Sequence, residues 1–276
     1  MRTQTTAALV AALAVVLAAS APARAQAPIN SNVALQPAKG GLIIRQQFRY
    51  TRADFDKNGA NLDIQLVTSA TTLVYGITDR FTVLLTTPVA LSRRIQNNST
   101  GTSDTDSGVA DLTALAKLRL YRNDSTPTNT ARFDVLLGAE IPSGDDVFSS
   151  DTVDPIVGGV YTIAYGRHAL SADLLWKFNT AGGAAGTDAM RYDAAYSFRL
   201  APAEYLTPNP TAWFALIELN GRYETNADSE VFLSPGVQYV TKRWIGEATI
   251  QLPAWQNLDH RPEAEYVIGL SVRVQF

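Results

Sequence analysis

The chain has 276 residues, no cysteine and a formal net charge of −3. The lack of cysteine excludes a disulfide framework and thiolate chemistry. The mildly acidic balance, with no basic block, argues against nucleic acid as a partner. After the first 25 residues no apolar run approaches the roughly 20 residues that a membrane-crossing helix needs. Near-neutral hydropathy does not exclude a β-barrel, because alternation hides its apolar band.

The chain opens on an export signal. Arg2 supplies a positive start, 7–19 is an apolar run of 13 residues, and Ala23-Arg24-Ala25 is a small-x-small cleavage site. Cleavage is expected after Ala25, which leaves 251 residues and moves the charge to −5 as Arg2 and Arg24 are lost. Residues 26–41, with Pro28 and Pro37, are assigned to a periplasmic leading segment. Whether they plug a lumen is left open at this point.

From residue 42 the side chains alternate in apolar and polar character. Alternation places successive residues on opposite faces of a strand. Twelve segments of this kind follow, each near the ~10 residues that a tilted barrel strand needs. They are 42–52, 61–75, 80–94, 109–122, 131–141, 154–165, 169–179, 188–200, 212–224, 230–240, 243–255 and 264–276. In 169–179, for example, Leu170, Ala172, Leu174, Trp176 and Phe178 oppose Ser171, Asp173, Leu175, Lys177 and Asn179. Connections at 76–79, 166–168 and 241–242 are tight, whereas 97–108, 143–153 and 180–187 are longer and polar or Gly-rich. Short turns on one rim and long loops on the other are the outer-membrane pattern. Two connections on the short side, 123–130 and 201–211, are longer than that pattern favours. Pro88, Pro235 and Pro253 fall inside strands and point to bulges or earlier strand ends.

Aromatic residues collect at the strand ends. Phe81, Phe133, Tyr165, Phe198, Trp213, Tyr239, Trp244 and Phe276 would form one belt, and Tyr50, Phe178, Tyr192, Tyr223 and Tyr266 the other. The last strand alternates most strictly. Tyr266, Ile268, Leu270, Val272, Val274 and Phe276 oppose Val267, Gly269, Ser271, Arg273 and Gln275. The fold class is therefore an all-β transmembrane antiparallel barrel of about twelve strands, with a soluble sandwich as the alternative. The ending resembles the C-terminal strand of bacterial outer-membrane barrels, and that resemblance makes Phe276 an outer-membrane assembly signal.

Four segments, 75–93 (YGITDRFTVLLTTPVALSR), 107–122 (SGVADLTALAKLRLYR), 137–145 (LGAEIPSGD) and 233–239 (LSPGVQY), occur in this order. Together they resemble the outer-membrane transporter family named for the meta-pathway of phenol degradation. The resemblance spans 42–276. It implies a bacterial outer-membrane barrel that moves small, often aromatic or hydrophobic, compounds, and it carries no catalytic or binding residues. The chain departs from it at Val109-Ala110-Asp111, where the family has a Gly before the Asp.

The faces opposite the apolar ones nominate lumen-lining residues. These are Arg45, Arg49, Asp63, Asp111, Lys117, Arg119, Arg132, Asp134, Glu140, Asp173, Lys177, Arg191, Asp193, Arg199, Glu218, Arg222, Glu224, Glu247 and Arg273. A wet pore would use these mixed charges to select solutes. Paired Arg–carboxylate networks would instead close the lumen and leave a structural or adhesion barrel. The runner-up to the channel, ahead of the closed barrel, is a hydrolase at the rim using His168 or His260. Ser171 falls on the face opposite His168, however, and His260 sits between Asp259 and Arg261 in a turn. Asp104-Thr105-Asp106-Ser107-Gly108 lacks the further ligands of a calcium loop, and with Asp145-Asp146 it reads as polar loop. No cofactor or metal is expected. The expected partners are outer-membrane lipid and lipopolysaccharide, the barrel-assembly machinery and a small solute.

Overall fold

The computed structural model describes residues 27–276 apart from 58, 127, 182–185 and 206–210, so the export signal assigned to 1–25 lies outside the described residues. Thirteen strands form one antiparallel sheet: β1 (Leu42–Lys57), β2 (Ala60–Gly76), β3 (Phe81–Asn97), β4 (Thr102–Val109), β5 (Leu112–Thr126), β6 (Asn129–Ile141), β7 (Asp154–Tyr165), β8 (His168–Lys177), β9 (Ala189–Ala201), β10 (Ala212–Glu224), β11 (Ser229–Val240), β12 (Trp244–Asn257) and β13 (Glu263–Gln275). Consecutive strands pair, except that β5 pairs with β3 and not with β4, and β1 pairs with β13, which closes the sheet on itself. Closure leaves one edge unpaired, that of the short strand β4. Both ends of the barrel chain meet at one rim, where Leu42 and Phe276 exchange backbone hydrogen bonds of 3.2 and 2.9 Å. We call this the terminal rim.

The barrel has twelve staves, because β4 and β5 are one stave broken at Ala110-Asp111. Both pair antiparallel with β3, β4 along its far half and β5 along its near half. The break faces Pro88, which has no N–H to offer the ladder. One bond, from Ala110 N to the Pro88 carbonyl at 2.9 Å, spans the gap. The loop expected at 97–108 is thus mostly strand, closed by a tight turn at 98–101. The connection expected at 123–130 is strand for the same kind of reason, since β5 and β6 project past the rim as a hairpin. Pro253 sits beside the bulge between Val231 and Phe232, as its missing donor requires.

The burial pattern is inverted relative to a water-soluble protein. Asp134, Ser234 and Gln238 are fully buried, while Leu137, Leu174 and Leu270 are half exposed. A soluble sandwich buries the opposite set. The buried polar residues face a lumen and the exposed apolar ones form the outer wall, the arrangement of a barrel in lipid. Aromatic rings cluster across neighbouring strands on that wall: Trp213 on Tyr239 at 4.7 Å, Tyr239 on Trp244 at 5.5 Å, and Tyr50 on Tyr266 at 6.1 Å.

The sequence leaves the leading segment open between lumen and periplasm, and its described part enters the lumen. The chain bends at the terminal rim through Gly40, whose φ of +79° suits glycine, and residues 27–36 lie inside the barrel. Gly76 makes the bend possible. Its backbone bonds Gly40 and Gly41 at 2.7 and 3.0 Å, and a Cβ at this position would sit 2.3 Å from the Ala38 carbonyl oxygen. Gly76→Val is expected to lower the unfolding temperature in detergent, with a cost of about 1–3 kcal/mol from overpacking against fixed backbone. An unchanged melting profile would show that the bend can move aside freely.

Candidate functional site

The lumen is the candidate site. Its cavity has a volume of about 1530 Å³ and is lined by residues from strands all around the barrel and by the leading segment. The ladder register explains the lining. Directly opposed residues share a face, so Arg119↔Asp134↔Val160 and Asp173↔Asp193↔Asn220 all point inward.

The leading segment crosses this lumen as a strap. Buried backbone donors must find acceptors, and here inward-facing side chains from successive strands supply them. Gln36 Nε2 donates to Asp134 on β6 at 2.9 Å, Ala34 N to Thr162 Oγ1 on β7 at 2.9 Å, and Asn32 N to Asp173 on β8 at 2.8 Å. Glu218 on β10, 1% exposed, accepts from Ile29 N at 2.7 Å, from Asn30 N and Ser31 N at 3.0 Å each, and from Ser31 Oγ at 2.6 Å. Three consecutive N–H groups thus converge on one carboxylate, an anion nest. The strap's carbonyls meet cations and amides. Lys117 Nζ donates to the Val33 carbonyl at 2.7 Å and Gln238 Nε2 to that of Ala27 at 2.7 Å, while Arg45 and Arg273 bond those of Ile29 and Pro28.

Most charges expected to line the lumen do face it, and most are paired. Glu247 is held between Arg45 at 3.0 Å and Arg273 at 2.7 Å. Lys177 pairs with Glu140 at 2.8 Å, and Arg191 with Asp193 at 3.0 Å. Arg119 faces Asp134 at 3.6 Å, Arg132 bonds Asp124 at 3.0 Å, and Arg222 bonds Glu224. Arg49 donates to Asn30 Oδ1 at 3.1 Å. Arg199 alone in this set stacks on a ring, 3.9 Å over Tyr205.

Two expectations are corrected. Asp63 lies opposite Asp54, on the face away from Arg49, and bonds Arg52 at 3.0 Å. The β1–β2 register places the even-numbered β2 residues inward, so an odd-numbered Asp cannot line the lumen there. Asp111 sits in the β4–β5 break and accepts from Ser143 N, Gly144 N and Ser150 N at 3.1, 3.0 and 2.7 Å. It anchors the loop after β6. That loop covers the unpaired edge of β4, with Asp145 N bonded to the Val109 carbonyl at 2.8 Å.

Asp154 and Glu230 were missed. Both are buried and face inward, opposite Glu140 and Arg222. Their place at the first residues of strands, where alternation has not yet begun, left no periodic signal. The apolar inward residues carried no signal either. Ile29 packs with Ala212, Phe214, Leu216, Val240 and Ile245, and Ala34 with Leu136, Val160 and Leu175.

The structure places His168 and Ser171 on opposite faces of β8. His168 lies on the outer wall with Nδ1 2.7 Å from the Tyr196 hydroxyl, and Ser171 faces inward to Thr162 at 2.9 Å. His260 Nδ1 is 3.2 Å from Asp228 Oδ1, and this contact closes one far-rim loop on another. Among the described residues, no Ser or Thr hydroxyl bonds either imidazole.

Closed staves, an apolar outer wall and a strapped polar lumen define a β-barrel of the outer-membrane type. Comparison with known proteins agrees. A family model described as "Putative MetA-pathway of phenol degradation" matches residues 46–252, and the chain belongs to that family. Among solved structures it is similar to the COG4313 outer membrane channel from Pseudomonas putida F1, at 15% identity and a TM-score of 0.61, over 90% of this chain and 100% of that one. It is also similar to the transport unit of the autotransporter AIDA-I from Escherichia coli, at 10% identity and a TM-score of 0.50, over 86% and 91% of the two chains. At such identities the likeness is one of fold. A search of curated proteins found no match.

Proposed function

We propose that the chain is an outer-membrane channel that passes small solutes, aromatic or hydrophobic ones among them, through a lumen narrowed by the strap. The observation that carries this reading is the 1530 Å³ cavity, whose lining combines paired charges with Leu115, Ile156, Leu175, Val240 and Ile245. A pore for ions alone has no use for such apolar wall, whereas an aromatic body can lie against it while its polar groups face the charges. The phenol pathway in the family's description supports the same solute class. Export would depend on the signal at 1–25, insertion on recognition of Phe276 by the assembly machinery, and the apolar wall would meet lipid and lipopolysaccharide.

The test is osmotic swelling of proteoliposomes that contain the refolded chain, in phenyl glucoside, an aromatic solute that bare lipid excludes. Swelling faster than in a trisaccharide control is the expected result. Rates equal to those of protein-free liposomes would overturn the reading.

A further inference from the structure

Arg199 is a buried cation without a counter-ion. It is 4% exposed, yet among the described residues no carboxylate lies within ion-pair distance of it. None of the chain's 26 acidic residues falls at the undescribed positions, so none can supply one from there. Its polar contact is a hydrogen bond from Nη2 to the Ala203 carbonyl at 3.2 Å. Nε and Nη1 are buried with no partner among the described residues. A guanidinium buried in this way is costly unless it is paired and hydrogen-bonded. Three other cations lining this end of the lumen do have a carboxylate within ion-pair distance: Arg119 lies 3.6 Å from Asp134, and Arg122 and Arg132 share Asp124.

The surroundings indicate what would pair with it. Arg199 lines the lumen cavity close to the terminal rim, and the exposed Glu204 on the adjoining loop does not reach it. The Tyr205 ring covers its guanidinium. Across the β9–β10 pair lies Phe214, and Ala212, Val240 and Ile245 continue that apolar surface along the cavity wall. A planar fork of donors fits a carboxylate, and the apolar wall beside it fits the body of the same molecule.

We propose that Arg199 is the anion-binding residue of a subsite at the terminal mouth, which takes the carboxylate of a small aromatic acid, with Tyr205 as the ring that swings off the guanidinium to admit it. The subsite rests on the channel reading, because it assigns that channel a class of solute.

The experiment is equilibrium binding of labelled benzoate to the purified mature chain in detergent, with phenol as the uncharged analogue and inorganic phosphate as competitor. Arg199→Gln is expected to weaken benzoate binding about tenfold or more, the worth of a charge-assisted pair, and to leave phenol binding unchanged. Arg199→Lys, which keeps the charge and loses the fork, should fall between the two and guards against a folding defect in the glutamine variant. Benzoate binding that is absent, or indifferent to Arg199→Gln, would overturn the proposal. So would phosphate competing as well as benzoate itself, which would make the residue a general anion trap. Binding is read without transport, so a failed swelling assay beside intact benzoate binding would sink the channel and not the subsite.

Discussion

Glu247→Ala is expected to destabilise the barrel by about 3–5 kcal/mol, the range for removing one partner from a buried ionic cluster. Glu247 is 5% exposed and accepts from Arg45, Arg273 and Gln238 at 3.0, 2.7 and 2.7 Å, and from the Ser271 hydroxyl. Removing it leaves two guanidinium groups facing each other across β1 and β13, the seam where the ring closes. Both also hold strap carbonyls, so their repulsion would loosen the strap as well. Glu247→Gln keeps the shape and some hydrogen bonds and should cost less. The readout is the temperature at which the compact folded band converts to the unfolded one on gel electrophoresis. Conversion of Glu247→Ala at the unaltered temperature would mean that water in the lumen already screens the triad.

The second large effect concerns passage. Deleting residues 27–38 is expected to raise single-channel conductance severalfold, because the strap runs through the cavity and its removal widens the narrowest section. The barrel should survive the deletion. Its ladder is complete without the segment, and Glu218, Asp173 and Asp134 would be solvated in the wider lumen instead of left dry. Glu218→Ala removes the nest that holds Ile29, Asn30 and Ser31, and should give a smaller, fluctuating increase as the strap detaches in part. Conductance unchanged by the deletion would show that the strap does not narrow the path.

The barrel was legible in the sequence wherever lipid and lumen impose opposite demands on alternate residues. In β8, Leu170 and Leu174 face out while Ser171 and Asp173 face in, as the alternation requires. Beyond the membrane that contrast disappears. The segment TSDTDSGV of β4 is polar on both faces, so its strand character comes from the ladder to β3 and from the Arg93–Asp106 pair at 2.9 Å, not from its own pattern. The strap was illegible for a different reason. Asn30, Ser31, Asn32 and Gln36 have no period, and their roles arise because Glu218, Asp173 and Asp134 are brought round to meet them from 98 or more residues away. Inward charges could be nominated from their face alone. Their pairing depended on register, which is why Asp63 was placed on the wrong side and why the missing partner of Arg199 became visible only in the closed barrel.

The central claim is that this strapped lumen is a passage. The most direct test is single-channel recording of the refolded mature chain in a planar bilayer, with and without a small aromatic solute, alongside the strap-deleted form. Discrete small steps that the solute blocks, and larger steps from the deleted form, are the predicted result. Silence from both forms, while both retain heat-modifiable β-structure, would contradict it and leave a barrel closed by its own ion pairs.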